Sequence, residues 1–258
     1  MFRQLRDVYR YREMLRNVVL RELKGKYKGS FIGFLWTFCN PVLMIIIFSV
    51  VFTHLLRTEI ENYPLFIFVA LLPWNFFVNS VLQGSTSLIQ NAALVKKIYF
   101  PREVLPIAMV LSNGVNYVLS LAIMLPALWI AGIRAEWTYA AFPVVLLLQV
   151  LFILMIVMVV SVVTVFIRDL EHFLSIFLFA MFYLTPVLFP ISMIPDDARW
   201  IFDLNPVTPM IEAYRDIFFY GVWPDWIKLA KLAVGVLLLN VVAFRIFHVL
   251  QKRIAEEL

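Results

Sequence analysis

The chain has 258 residues, of which 63% are hydrophobic and 15% charged, and its mean hydropathy is +0.89. A soluble domain of this size needs a polar surface that such a composition does not supply. The net charge of +5 does not point to nucleic acid, because the cations gather beside the first apolar run. Arg3, Arg6, Arg10, Arg12, Arg16, Arg21, Lys24, Lys26 and Lys28 stand there against Asp7, Glu13 and Glu22, which is the basic flank of a membrane protein's inner face. The basic segment and the apolar run after it are too long for a cleavable signal peptide, and no small-residue cleavage site follows. The single cysteine, Cys39, leaves no intrachain disulfide and no cysteine-based metal site, and reads as a small buried hydrophobe.

Residues Tyr11 to Lys28 place Leu15, Val19, Leu23 and Tyr27 in an i+4 row, joined by Tyr11, Met14 and Val18. Arg16, Arg21, Lys24 and Lys28 fall on other faces, which predicts an amphipathic helix in the membrane interface. Phe31 to Leu56 carries no charge and as a helix would reach roughly 39 Å, enough to span with a kink at Pro41. Tyr63 to Ala93 is the second apolar stretch, interrupted at Pro73, and Val104 to Ile133 is the third. Trp137 to Ile167 is the fourth, and Phe173 to Phe189 the fifth. Pro190 to Trp226 differs, being rich in Pro, Asp and aromatic residues. Two short helices are expected in it: one capped by Asp196 or Asp197 and ending before Asn205-Pro206, the other capped by Thr208 and ending at Gly221. Both are too short to cross, so the segment reads as re-entrant or interfacial structure on the outer side. Ile227 to Leu250 is the sixth span. Most of the basic residues fall at one side under this reading, which predicts an all-α membrane protein with six spans and both termini in the cytoplasm.

No Gly-x-x-x-x-Gly-Lys-[Ser/Thr] loop occurs, so the chain carries no familiar nucleotide cradle. His54, His172 and His248 are scattered, and no His-Glu-x-x-His occurs, so neither a metal site nor a catalytic triad is indicated. The first five spans hold no Asp, Glu, Lys or Arg at their centres. Ion-coupled carriers place such groups at mid-membrane, so the driving energy is expected from outside the chain. Uncharged polar residues do recur: Asn75, Asn79, Gln83 and Ser87 at i+4 in the second stretch, and Asn113, Asn116 and Ser120 in the third. They serve either interhelical hydrogen bonding or a wettable substrate path. Trp36, Phe38, Trp74, Phe76, Phe77, Phe182 and Tyr183 are either packing and belt residues or stacking platforms for sugars.

Several motifs in fixed order carry a resemblance. They are Gly33-Phe34-Leu35-Trp36 with Pro41, Leu72-Pro73-Trp74, and Lys96-Lys97-Ile98-Tyr99-Phe100-Pro101-Arg102-Glu103. Phe166-Ile167-Arg168-Asp169, Thr185-Pro186-Val187, Asn205-Pro206-Val207-Thr208-Pro209 and Tyr214-Arg215 follow. Together they resemble the permease subunit of ABC-2-type exporters that move lipid-linked O-antigen, capsule or wall teichoic acid, along essentially the whole chain. The resemblance implies a non-enzymatic permease in the bacterial cytoplasmic membrane. It implies a homodimer bound to two copies of a separate ATPase, which holds ATP and Mg, and a lipid-linked glycan as substrate. It further divides the chain into an N-terminal interface segment (1–30) and a transmembrane domain (31–258). Leu94, Lys96, Lys97, Ile98, Tyr99, Phe100, Pro101 and Arg102 become the ATPase-coupling segment, near 94–101. Arg16, Arg21, Lys24 and Lys28 become the interface helix. Trp36, Phe38, Asn75, Asn79, Gln83, Phe182 and Tyr183 are the candidate channel lining. Trp200, Asn205, Pro206, Tyr214 and Arg215 belong to an outer gate over 190–224. An ABC-2 permease for a drug or small lipid, an ion-coupled carrier, and a membrane-embedded lipid enzyme are the rival readings.

Overall fold

In hydrocarbon every backbone N–H and C=O must find its partner within the protein, and a helix achieves this inside a single segment. The computed structural model describes residues 9–25, 36–51, 60–134 and 136–257, and no strand occurs among them. The helices are α1 (Arg12–Gly25), α2 (Trp36–Ser49), α3 (Tyr63–Gln90), α4 (Ala92–Lys97), α5 (Val104–Ile130) and α6 (Phe142–Phe166). After them come α7 (Leu170–Tyr183), α8 (Arg199–Leu204), α9 (Thr208–Arg215), α10 (Trp226–Leu250) and α11 (Ile254–Glu257).

Four stretches among the described residues are long and apolar enough to cross a bilayer: Tyr63–Gln90, Val104–Ile130, Trp137–Phe166 and Trp226–Arg253. They match the second, third, fourth and sixth expected spans. The first expected span is described only over 36–51. The fifth is shorter than its apolar run suggests. Helix α7 has 14 residues, roughly 21 Å, against roughly 30 Å of hydrocarbon. It begins earlier than expected, at Leu170, and is spent by Tyr183. Pro186 cannot continue the ladder, and the carbonyls beyond the helix end are taken by side chains from α9 and the turn before it.

Pro73 does not interrupt the second stretch, because α3 runs through it unbroken. Its own carbonyl accepts a hydrogen bond from Gln149 Nε2 of α6 at 2.8 Å. Neighbouring helices commonly satisfy backbone groups around a membrane proline in this way. The true break comes at Asn91, which separates α3 from α4.

Helix α3 is the most enclosed of the four long stretches and α10 the least. The buried interior divides into two clusters. The larger surrounds α3 from Tyr63 to Val81 with Tyr117, Phe152, Tyr214 and Phe218. The smaller gathers Val18, Leu88, Val95, Phe100, Val104, Phe244 and Phe247 at the other end. Helix α1 therefore covers a core: Tyr11, Met14, Leu15 and Val19 pack around buried Val18. Tyr27 of the expected row lies outside the described residues. Between α3 and α6 the backbones approach closely at Gly84, where an added Cβ would lie 2.5 Å from Val157 Cγ1. With no hydrophobic force between helices in lipid, such small-residue contacts supply the packing.

Candidate functional site

Helices α2, α3 and α5 enclose a cavity of about 630 Å³. The i+4 row Asn75, Asn79 and Gln83 lines it from α3, and Asn113, Asn116 and Ser120 line it from α5. The helical period alone brings these two rows to face each other. Asn40, Pro41 and Met44 of α2 close a third side. Asn113 Nδ2 donates to Gln83 Oε1 at 3.1 Å and to the Met109 carbonyl at 3.0 Å. Asn79 remains exposed. Tyr117 and Phe76 form one wall, their rings stacked at 5.5 Å with 4° between planes. Interhelical bonding and a wettable lining thus coexist in one place, and none of the described lining residues is ionisable except Tyr117.

The remaining lining candidates lie elsewhere. Trp36 and Phe38 line a separate apolar pocket with Cys39, Val42 and Leu43. Phe182 packs on Trp74 at 5.7 Å and against Tyr183 at 5.4 Å. Neither Phe182 nor Tyr183 reaches the polar cavity.

At the end of the smaller core a second cavity, about 790 Å³, is lined by Arg10, Tyr11, Val95 to Glu103, His248, Gln251 and Lys252. The helix expected near 94–101 starts earlier and ends sooner, as α4 over Ala92–Lys97, with Leu94 half-buried and Ile98 extended. Val95 and Phe100 are buried and anchor the segment. Between these anchors Lys96, Lys97, Ile98 and Tyr99 project outward, with Tyr99 96% exposed. Ile98, 55% exposed, and Tyr99 together form an exposed apolar step beside the two lysines. Arg102 donates through Nη1 to the Gln251 carbonyl, and Gln251 Nε2 donates to Glu103 Oε1 at 3.3 Å. The two ends of the described chain meet at this groove.

Helix α1 is tied to the same region. Arg21 Nη2 donates to Asn91 Oδ1 at 2.6 Å, and Asn91 Nδ2 donates to the Ser87 carbonyl at 2.9 Å. Arg16 pairs loosely with Glu13, Lys24 is exposed, and Lys28 lies outside the described residues. The Arg21–Asn91 link joins positions 70 residues apart and had no sequence signal beyond the polar character of each residue.

At the opposite end three separate motifs converge. Asn205 Nδ2 donates to the Leu184 carbonyl at 2.9 Å and to Thr185 Oγ1 at 2.8 Å. Asn205 Oδ1 accepts from the Val207 amide, making an Asx turn that carries Pro206. Arg215, 3% exposed, donates through Nη2 to the Val187 carbonyl at 2.5 Å. Its Nη1 donates to the carbonyls of Pro186 and Phe189. Burial lowers the Arg215 pKa to about 10, leaving it a cation at neutral pH. Tyr214 donates to Gln149 Oε1 at 2.6 Å, and Gln149 bonds the Pro73 carbonyl in turn. Gln149, the only carboxamide in α6, was not singled out from sequence, although a lone amide in an apolar run was the available signal. Trp200 stands apart, exposed on α8.

Two expected caps are corrected here. Helix α8 begins at Arg199 with Ala198 at the cap position, so Asp197 and Asp196 stand one and two residues ahead of it and no side chain caps the helix. Helix α9 begins at Thr208 itself with Val207 as the preceding residue, and Thr208 Oγ1 is buried without a partner. The expected end at Gly221 holds. One π-helical turn, Asp216–Tyr220, continues α9, and Gly221 stops it at φ 66°, a conformation that favours glycine. Asp225, not anticipated, caps α10 by accepting from the amides of Ile227 and Lys228.

A carboxylate pair stands beside Arg215. Glu212 lies 3.7 Å from Lys228 Nζ, and burial raises its pKa against that pull. Asp216 is raised to about 6, first by burial and then by neighbouring Glu212.

Comparison with known proteins bears on this arrangement. The ABC-2 type transporter model matches residues 14–219, from α1 through the π turn. The O-antigen export system permease protein RfbA of Myxococcus xanthus is 39% identical over 260 residues, covering 100% of both chains. The protein of the same name from Klebsiella pneumoniae is 34% identical over 245 residues, covering 95% of this chain and 94% of the relative. With four apolar helices of spanning length and a match over most of its length, the chain is a multi-pass membrane protein that belongs to the ABC-2 type transporter family.

Proposed function

We propose that the chain is the membrane permease of an ATP-driven exporter that moves a lipid-linked surface polysaccharide outward across the bacterial cytoplasmic membrane. The observation that carries this reading is the uncharged, carboxamide-lined cavity between α3 and α5 inside an otherwise apolar bundle. Burying a polar chain directly in hydrocarbon is prohibitive, and a lined path removes that cost. No described group in the cavity suits ion coupling, so the work comes from a partner. The names of both relatives, O-antigen export permeases, support the substrate class.

In this reading two copies of the chain form the pore and two ATPase subunits dock below it. Nucleotide and magnesium are bound by those partners. The exposed Lys96, Lys97, Ile98 and Tyr99 meet the ATPase, and α1 follows its motion through Arg21 and Asn91. The proposed topology has six crossings, the four long helices and the apolar runs 31–56 and 173–189 to which α2 and α7 contribute, with both termini cytoplasmic. Residues 1–30 form the interface segment and 31–258 the transmembrane domain. The 190–224 segment, pinned by Asn205 and Arg215, closes the outer mouth.

Vesicles holding the chain together with its ATPase and a lipid-linked glycan test this directly. Expected is ATP-dependent protection of the glycan from an external glycosidase in inverted vesicles. Transport driven by an ion gradient, or by the chain without its ATPase, would overturn it.

A further inference from the structure

We propose that the segment of substrate that passes the α3–α5 cavity is an electrically neutral glycan, and that polyanionic chains bearing phosphates or uronates are rejected there. The inference rests on the export reading above and narrows its substrate class. Six side chains from the two facing rows, Asn75, Asn79, Gln83, Asn113, Asn116 and Ser120, are carboxamides or a hydroxyl, and the described lining holds no Lys, Arg or His. A carboxamide offers donors and acceptors together, which matches a sugar hydroxyl that needs both. A phosphate or carboxylate carries a full negative charge, and without a cation beside it much of its desolvation goes uncompensated.

Part of this polarity already bonds within the protein. Asn113 Nδ2 already gives hydrogen bonds to Gln83 Oε1 and to the Met109 carbonyl. The Ser120 hydroxyl donates to the Asn116 carbonyl at 2.9 Å. The carboxamides of Asn75, Asn79 and Asn116 present N–H and C=O groups together, which suits a hydroxyl, while no described lining residue supplies the positive charge that balances an anion. Successive amides along α3 are spaced by about 6 Å, comparable with the length of one hexose. The stacked, buried Tyr117–Phe76 pair backs the cavity with an uncharged wall. Among the described residues, Arg10, Lys96, Lys97, Arg102 and Lys252 line the other cavity instead.

The test uses cells carrying the chain with its ATPase. They are supplied with one of two glycans built on the same lipid carrier, a neutral polymer or its uronate-containing counterpart. Surface glycan is measured by antibody binding on intact cells. The neutral polymer is expected to reach the surface at least about tenfold faster than the anionic one. Asn79 is exposed in the cavity, so Asn79→Lys is expected to fold and to narrow that ratio, whereas Asn79→Asp widens it. Equal export of both polymers by the unmodified chain, or a ratio unmoved by either charge, overturns the proposal while leaving polysaccharide export standing. Export of neither polymer overturns both.

Discussion

The Arg215 guanidinium lies 3.7 Å from the centre of the Phe66 ring while its nitrogens bond the carbonyls just beyond α7. One buried cation thus joins α3, α9 and the turn at 186–189. Lysine lacks the planar fork that reaches several acceptors at once. Arg215→Lys is expected to destabilise the detergent-solubilised protein by about 1–3 kcal/mol, read as a lower Tm. Unchanged melting would show that the clamp is dispensable.

Asp216 links the same region to pH. Its folded pKa, about 6, stands above the ordinary 3.8 because burial and Glu212 disfavour the anion more than Lys228 and Arg215 favour it. A raised carboxyl contributes stability that is full below about 3.8 and is lost as pH rises through about 6. Thermal stability should therefore increase as pH falls from 7 to 5. Asp216→Asn should flatten that slope and stabilise the protein at pH 7, by less than the full linkage value because Asp216 is only half-buried.

At Gly84 a methyl group has no room against Val157. Gly84→Ala is expected to cost about 1–3 kcal/mol, and Val157→Ala in the same chain should recover most of it. A double-mutant cycle on Tm measures the coupling. Purely additive losses would mean that the helices separate without penalty.

The Arg21–Asn91 bond is part-buried and near the surface. Arg21→Ala should change stability by about 1 kcal/mol or less, yet raise the ATP hydrolysed per glycan exported. Asn91→Ala should act alike. Tight stoichiometry in both variants would remove α1 from force transmission.

Tyr99 makes its case by exposure. Truncating a ring that is 96% exposed should leave the fold within about 0.5 kcal/mol. Tyr99→Ala and Lys97→Glu are nonetheless expected to weaken ATPase binding by about tenfold or more, measured by co-purification or light scattering. Normal partner ATPase stimulation and normal export in these variants would discount the groove as the docking surface.

Legibility followed physical range. The facing amide rows were visible from sequence because each repeats every four residues on its own helix, and the period survives packing. The exposed Tyr99 lay inside a motif that stood out. Helix ends were less visible. Asp196, Asp197 and Thr208 had the right chemistry for caps, but a cap works only at one position, and Pro195 and Asn205 shift the start through their own turns. The length of α7 was hidden because its apolar run outlasts its hydrogen-bond ladder. Arg215 reaches back 26 to 29 residues to backbone oxygens, which leave no trace in residue type.

Each of the three acceptors gripped by Arg215, at Pro186, Val187 and Phe189, is a peptide oxygen, identical whatever residue carries it. The 186–189 turn is therefore held by a lock that ignores spelling. Exposed letters beyond it, such as Ser192 and Met193, are open to exchange for an epitope or a reporter with little mechanical consequence.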